Sequence, residues 1–116
     1  MLNMEAMHNG IIDYCFTYGI EIQAWSPLGG GVLFKPSSDP ILVMQRDRLN
    51  RVGQKYGWTL DIMAYLFILH HPAGIRPVVG SSKWERIETA VKVEDIQIND
   101  EQWYEIWTAA VGQEVP

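Results

Sequence analysis

A chain of 116 residues with a formal charge of −5 has room for one ordinary domain with a real core. Its 47% hydrophobic and 20% charged residues make it globular rather than disordered. The acidic balance excludes nucleic-acid binding through a broad basic surface, yet it leaves room for a small anion site, because a local field need not follow net charge. The single cysteine, Cys15, excludes an internal disulfide and fits a reducing compartment. It lies in an apolar helical pattern and reads as a small core residue. No apolar run approaches the ~18 residues needed to cross a bilayer. The start, Met1-Leu2-Asn3-Met4-Glu5, lacks the basic and apolar regions of a secretory signal, so the expected location is cytoplasmic, with no membrane partner.

In chain order, the first nine residues read as polar and irregular, closing on the turn dipeptide Asn9-Gly10. Ile11, Ile12, Cys15 and Phe16 recur at helical spacing and predict an amphipathic helix to about Tyr18, stopped by Gly19. Residues 20–25 predict a short strand. Its imperfect alternation, with Ala24 and Trp25 both apolar, allows burial on both faces, as in parallel sheets. Ser26-Pro27-Leu28-Gly29-Gly30-Gly31 then breaks the chain. Such a glycine run serves either a close approach of backbone to a ligand or a flexible linker.

Residues 41–56 predict a helix with Leu42, Leu49, Val52 and Tyr56 on one stripe and a solvated basic face of Arg46, Arg48, Arg51 and Lys55, ending at Gly57. A second helix runs from an N-cap at Thr59 to His71 and is apolar nearly all round, so it is expected to be buried between neighbours. His70 and His71 point about 100° apart on such a helix and cannot chelate one metal ion; the expectation is that they meet the last helix carbonyls. Residues 75–79 predict a second strand, which Pro77 would demote in a central sheet position. Asn99 and Gln102 form a capping box for the last helix, with Ile98 and Trp103 as a hydrophobic staple, and Trp103, Trp107 and Ala110 share a packing stripe.

Between the second strand and the last helix stands Val78-Val79-Gly80-Ser81-Ser82-Lys83-Trp84-Glu85-Arg86, a strand end, a polar turn and the first turn of a helix. Ser82 and Glu85 have capping-box spacing. Lys83 and Arg86 oppose the helix dipole, which makes sense where an anion joins them. A capped surface helix and an anion site both fit these nine residues. Strand and helix alternate, which predicts an α/β protein with parallel strands, but two strands are few, and the sequence reads as part of a larger α/β fold.

Three motifs together resemble the aldo-keto reductases. They are Ala24-Trp25-Ser26-Pro27-Leu28-Gly29-Gly30-Gly31, then His71-Pro72 after an apolar helix, then Val79-Gly80-Ser81-Ser82-Lys83-Trp84-Glu85-Arg86-Ile87. The resemblance covers essentially the whole chain. It is strongest to the bacterial oxidoreductases of that family that are related to potassium-channel β subunits, and the ending with Trp103-Tyr104-Glu105-Ile106-Trp107 and Glu114-Val115-Pro116 fits the same group. Family members are (β/α)8 barrels of ~250 residues or more. The resemblance implies that this chain is the C-terminal part of such a TIM barrel, about strands seven and eight with their helices, and incomplete as a barrel.

The resemblance further implies an NADP(H) site. Trp25, Ser26, Pro27, Leu28, Gly29 and Gly30 would line its nicotinamide and pyrophosphate side, and Gly80, Ser81, Ser82, Lys83 and Arg86 would hold the adenosine 2′-phosphate and ribose. The barrel rule points the same way, since phosphate sites commonly use the loops after strands seven and eight and a helix N-terminus. Where the family has a Glu-Asn pair on the adenine, this chain has Thr89 and Ala90. The family's catalytic Tyr, Lys, Asp and His belong to the N-terminal half, and no position here matches them. The implied function is the cofactor-binding part of a carbonyl reductase, not catalytic alone. A remnant that binds a nucleotide or partner and a truncated reading frame stand beside it. Strand edges cut from a barrel predict self-association or marginal folding.

Overall fold

The computed structural model describes residues 3–115. The expected leaderless start at Met1 and Leu2, and Pro116 at the family-like ending, lie outside the described residues. Six helices and two strands follow in the order α1 (Glu5–His8), α2 (Ile11–Thr17), β1 (Gln23–Ala24), a 3-10 segment (Gly29–Phe34), α3 (Pro40–Tyr56), α4 (Leu60–Leu69), β2 (Arg76–Pro77), α5 (Trp84–Lys92), a 3-10 turn (Val93–Asp95) and α6 (Asp100–Val111).

The helices α3, α4 and α6 carry the core. Leu49 of α3, Met63 of α4 and Ile106 of α6 are fully buried, with Leu66, Phe67, Trp103 and Trp107 around them. Apolar side chains nearly all round α4 predict burial on every side, and residues 63–68 are all buried. The stripe Leu42, Leu49, Val52 and Tyr56 faces inward on α3, and Gly57 ends that helix in a left-handed turn (φ 75°).

The basic face of α3 is not merely solvated. Arg48 Nε donates to the Ala109 carbonyl at 2.9 Å, and Gln45, buried on the same face, donates to the Ala110 carbonyl at 2.7 Å. Helix ends leave carbonyls without helical partners, and α3 supplies these two for the end of α6. Gly112 completes that end at φ 82°, where a Cβ would stand 2.7 Å from the Arg48 guanidinium. Lys55 adds an ion pair to Glu105 at 2.6 Å, and the hydrogen bond from Lys55 holds the Glu105 carboxyl below its usual range. Arg46 donates to the Lys35 carbonyl. At its other end α6 has the expected capping box, with Asn99 accepting from the Gln102 amide at 2.9 Å and Gln102 accepting from the Asn99 amide at 3.0 Å.

β1 and β2 pair in parallel, Gln23 with Arg76 and Ala24 with Pro77. The ladder is shorter than the predicted strands, closed by Arg76 N–H to Ile22 O and Val78 N–H to Ala24 O, both 2.9 Å. Pro77 is tolerated because the amides on either side of it turn toward β1, so the donor it lacks would face the outer edge of β2. Burial alternates strictly. Ile22, Ala24, Ile75, Pro77 and Val79 lie toward the helices, while Glu21, Gln23, Trp25, Arg76 and Val78 are exposed. Burial on both faces is therefore not what the structure shows: one face is covered by α4 and by Ile12 of α2, and the other is bare.

Five local expectations are corrected. Residues 5–8 form a helix rather than irregular chain. Cys15 is half-buried instead of a core residue, and of the α2 stripe only Ile12 is buried, Phe16 being 64% exposed, because α2 has no helix packed on its outer side. Thr59 occupies the N-cap position of α4, but its hydroxyl bonds the Asp61 carboxylate rather than a helix amide. His70 Nε2 lies 3.0 Å from Asp100 on α6, and His71 Nδ1 accepts the Ala73 N–H, so neither imidazole meets the α4 carbonyls. Finally, α5 starts at Trp84 with Lys83 at its N-cap and no side-chain cap. Ser82 and Glu85 do not close a capping box, because the hydroxyl that turns in is Ser81, accepting the Lys83 N–H at 3.1 Å.

Among the described residues no three His, Cys, Asp or Glu side chains are grouped as a metal site requires. No helix among them is long and apolar enough to cross a membrane.

Candidate functional site

Parallel pairing fixes where the two flagged loops emerge. The chain leaves β1 into residues 25–30 and leaves β2 into residues 78–83, so both loops start from the same end of the sheet. Ligands in α/β folds collect at that end.

The first loop turns sharply. Ser26 adopts φ 49°, an unusual left-handed conformation for a residue with a side chain, and Gly29 N–H closes the turn onto the Ser26 carbonyl at 2.8 Å. Gly30 and Gly31 continue with φ of 65° and 78°, backbone that glycine adopts without a Cβ clash. The glycine run is therefore an ordered turn rather than a linker. Trp25 beside it is 82% exposed.

A half-open cavity of about 340 Å³ lies under this loop. Trp25, Ser26, Pro27, Leu28 and Gly29 line its mouth; Ile12, Phe67 and Ile68 form its floor. Gly30 is not part of it, nor is any residue of the second loop. Further lining includes Met4 and Met7, an i, i+3 pair in the stretch read as irregular, and Leu33 and Phe34, none of which the sequence singles out, together with His71 of the His71-Pro72 motif. Burial holds the His71 imidazole below its usual value, opposed by the Asp13 carboxylate, and the neutral ring suits the hydrogen bond Nδ1 accepts from Ala73.

The second loop presents charge. With no side-chain cap on α5, the first-turn amides of Trp84 and Glu85 keep the free donors of a helix start. Lys83 and Arg86 are exposed and form no ion pair among the described residues. Arg86 lies near enough to α4 to act on Tyr65, whose hydroxyl is pushed up by burial and by Asp61 and drawn back by the Arg86 charge. Gly80 and Ser82 are exposed, and Ser81 is half-buried with its oxygen turned to the Lys83 amide. Two cations, free amides and hydroxyls on one helix start could hold an anion such as a phosphate.

The profile of the aldo/keto reductase family matches residues 1–110. The chain belongs to the aldo-keto reductase family. It is 34% identical over 113 residues to an uncharacterized oxidoreductase of Bacillus subtilis, YcsN, covering 97% of this chain and 38% of that protein. It is also 34% identical over 115 residues to a 6-dehydroglucose reductase of Novosphingobium aromaticivorans, covering 99% of this chain and 38% of the relative. Among solved structures, a thermostable aldo-keto reductase crystallised with the inhibitor epalrestat aligns with a TM-score of 0.71 at 16% identity, over 94% of this chain and 35% of the other. The chain thus spans little more than a third of the length of these relatives, and its short parallel sheet with covering helices is a partial TIM barrel.

Proposed function

We propose that this chain is the C-terminal, cofactor-gripping part of an NADP(H)-dependent carbonyl reductase, acting in the cytoplasm. The observation that carries the reading is the start of α5 without a side-chain cap, with Lys83 and Arg86 exposed there and in no ion pair among the described residues. A helix N-terminus that lacks its own cap and gathers cations pays for itself when a dianion arrives. The 2′-phosphate of NADP(H) is such a group, with Arg86 and Lys83 on its oxygens and Gly80, Ser81 and Ser82 along the ribose. Trp25, Ser26, Pro27, Leu28, Gly29 and Gly30 then run along the pyrophosphate and nicotinamide, Trp25 offering a flat apolar surface. One relative, 24% identical over 100 residues, is an NADP-dependent D-sorbitol-6-phosphate dehydrogenase of Malus domestica, which supports this choice of cofactor.

NADPH supplies the hydride when bound. This chain's residues bind and orient it; the acid that protonates the carbonyl oxygen belongs to the other part of the barrel. Thr89 and Ala90, in place of the family's Glu-Asn pair, leave the adenine less tightly held. The chain by itself binds cofactor without turnover.

Fluorescence titration of NADPH and NADH into wild type and Arg86→Ala tests the reading. Loss of a charge-assisted contact to phosphate is expected to weaken NADPH by roughly tenfold or more and to leave NADH nearly unchanged, since NADH has no 2′-phosphate. Equal losses for both, or no binding of NADPH to the wild type at millimolar concentration, would overturn it.

A further inference from the structure

Two groups of buried side chains make the interior, and they do not close on each other. Leu33, Phe67 and the core of α3, α4 and α6 form one group, and Ile12, Ile68 and Ile75 form the other. Among the described residues Met7 is the one side chain packed against both. The gap between the groups is the half-open cavity of about 340 Å³, walled by residues of α1, α2, β1 and α4 as well as by the first loop. It lies on the covered face of the sheet, behind Ala24 and Ile75, whereas Gln23, Arg76 and Val78 stand on the bare face. The second loop takes no part in it.

The lining is mostly apolar and holds one hydrogen-bond donor without a partner. His71 Nδ1 accepts the Ala73 N–H at 3.1 Å, so the proton of the neutral ring sits on Nε2. That N–H makes no hydrogen bond among the described residues, and it is not sealed away as the indole nitrogen of Trp107 is. The Asp13 carboxylate acts on the same imidazole, which disfavours an anion beside it. Small-molecule sites have this composition, an apolar cavity of roughly 300–1,000 Å³ with a few placed polar groups. A cavity of about 150 Å³ already holds benzene, so the larger space here takes a body of roughly two fused rings. Water in such a space has few partners, and its displacement by an apolar guest is favourable. Met4 and Met7, with flexible thioether chains, adapt the opening to the guest.

We propose that this cavity binds a neutral bicyclic hydrocarbon body carrying one acceptor oxygen. The oxygen accepts from His71 Nε2, and the rings lie against Ile12, Phe67 and Ile68. The site is on the opposite face of β1 from Gln23 and does not rest on the grip proposed for the cofactor phosphate.

The probe is α-tetralone, an aromatic ketone of two fused rings, with tetralin as the same rings without the oxygen. Methyl resonances of labelled methionine are followed by NMR in the 116-residue chain. Saturable shifts of Met4 and Met7 are expected with α-tetralone at a Kd on the order of 0.1 mM, while Met44, exposed on α3, stays in place. Tetralin is expected to bind about fivefold more weakly, the worth of one hydrogen bond. His71→Asn keeps an acceptor for the Ala73 N–H and lacks the second ring nitrogen. It should weaken α-tetralone by about the same factor and leave tetralin unchanged. Absence of saturable shifts at millimolar probe, or equal shifts at Met44, would show that the cavity is not a site. Equal affinity for the two probes, or equal losses of both in His71→Asn, would overturn the role of the donor. The two readings separate cleanly. A chain that binds NADPH and ignores α-tetralone loses this site and keeps the phosphate grip; one that binds α-tetralone and ignores NADPH does the reverse.

Discussion

The layer of α3, α4 and α6 and the two-strand sheet beside it differ in what they need from outside. In the helical layer Leu49, Met63 and Ile106 have no exposure, the open carbonyls of α6 are met by Gln45 and Arg48, and both ends of α6 are capped. Such a layer holds its own core. In the sheet, two paired residues per strand support one bare face, and Trp25 and Val78 are exposed at 82% and 44%. Strand pairing is stable when neighbours continue it on both sides, and here they do not. The region that carries the candidate site is therefore the less supported one, while the region that carries stability lies away from it.

The largest effect expected is in the helical layer. Ile106→Ala leaves a cavity where no solvent reaches, and urea unfolding should show a loss of about 3 kcal/mol. A loss below about 1 kcal/mol would mean that the layer is not the stability centre. Gly53→Ala follows. Its Cβ would lie 2.3 Å from the Trp58 carbonyl oxygen, backbone that cannot step aside, so a cost of about 2 kcal/mol is expected from overpacking. Asn99→Ala removes half of the α6 capping box and should cost about 1 kcal/mol.

A smaller effect follows pH. His71 binds a proton less readily folded than unfolded, since burial lowers its pKa from the ordinary 6.5. Its contribution is then complete above that value and is lost as the pH falls through it toward the lower folded value. Thermal melts from pH 8 to pH 5 should fall for wild type and fall less for His71→Gln; parallel curves would remove His71 from the account. The smallest effect is on the sheet, where Gln23→Ala on the bare face should change stability by no more than about 0.5 kcal/mol. A cost equal to that of Ile106→Ala would erase the contrast between the two regions.

What could be read in the sequence follows the same division. The helices α3, α4 and α6 carry regular stripes and a capping pair, local signals that do not depend on distant chain, and they appear where periodicity places them. The strands shrank to two residues each because their length depends on neighbours that this chain does not contain. The α2 stripe went wrong for that reason too: Phe16 has the pattern of a buried residue and nothing to be buried against. At the site, the positions of the two loops followed from the strand order and the family motifs. At α5, Ser81 and Ser82 both have hydroxyls and spacing alone favours the second, whereas the turn brings in the first. The Met4, Met7 pair gives no signal, and the His71-Pro72 motif does not tell that His71 lines the cavity under the first loop, since these residues meet that loop only through folding.

The central claim is that residues 25–30 and residues 80–86 serve one cofactor. Amide hydrogen exchange followed by mass spectrometry, with and without saturating NADPH, tests it most directly. Slowed exchange in both loops together, with that in residues 80–86 lost in Arg86→Ala, is the predicted result. Protection confined to the 340 Å³ cavity, with residues 80–86 unchanged, would contradict it.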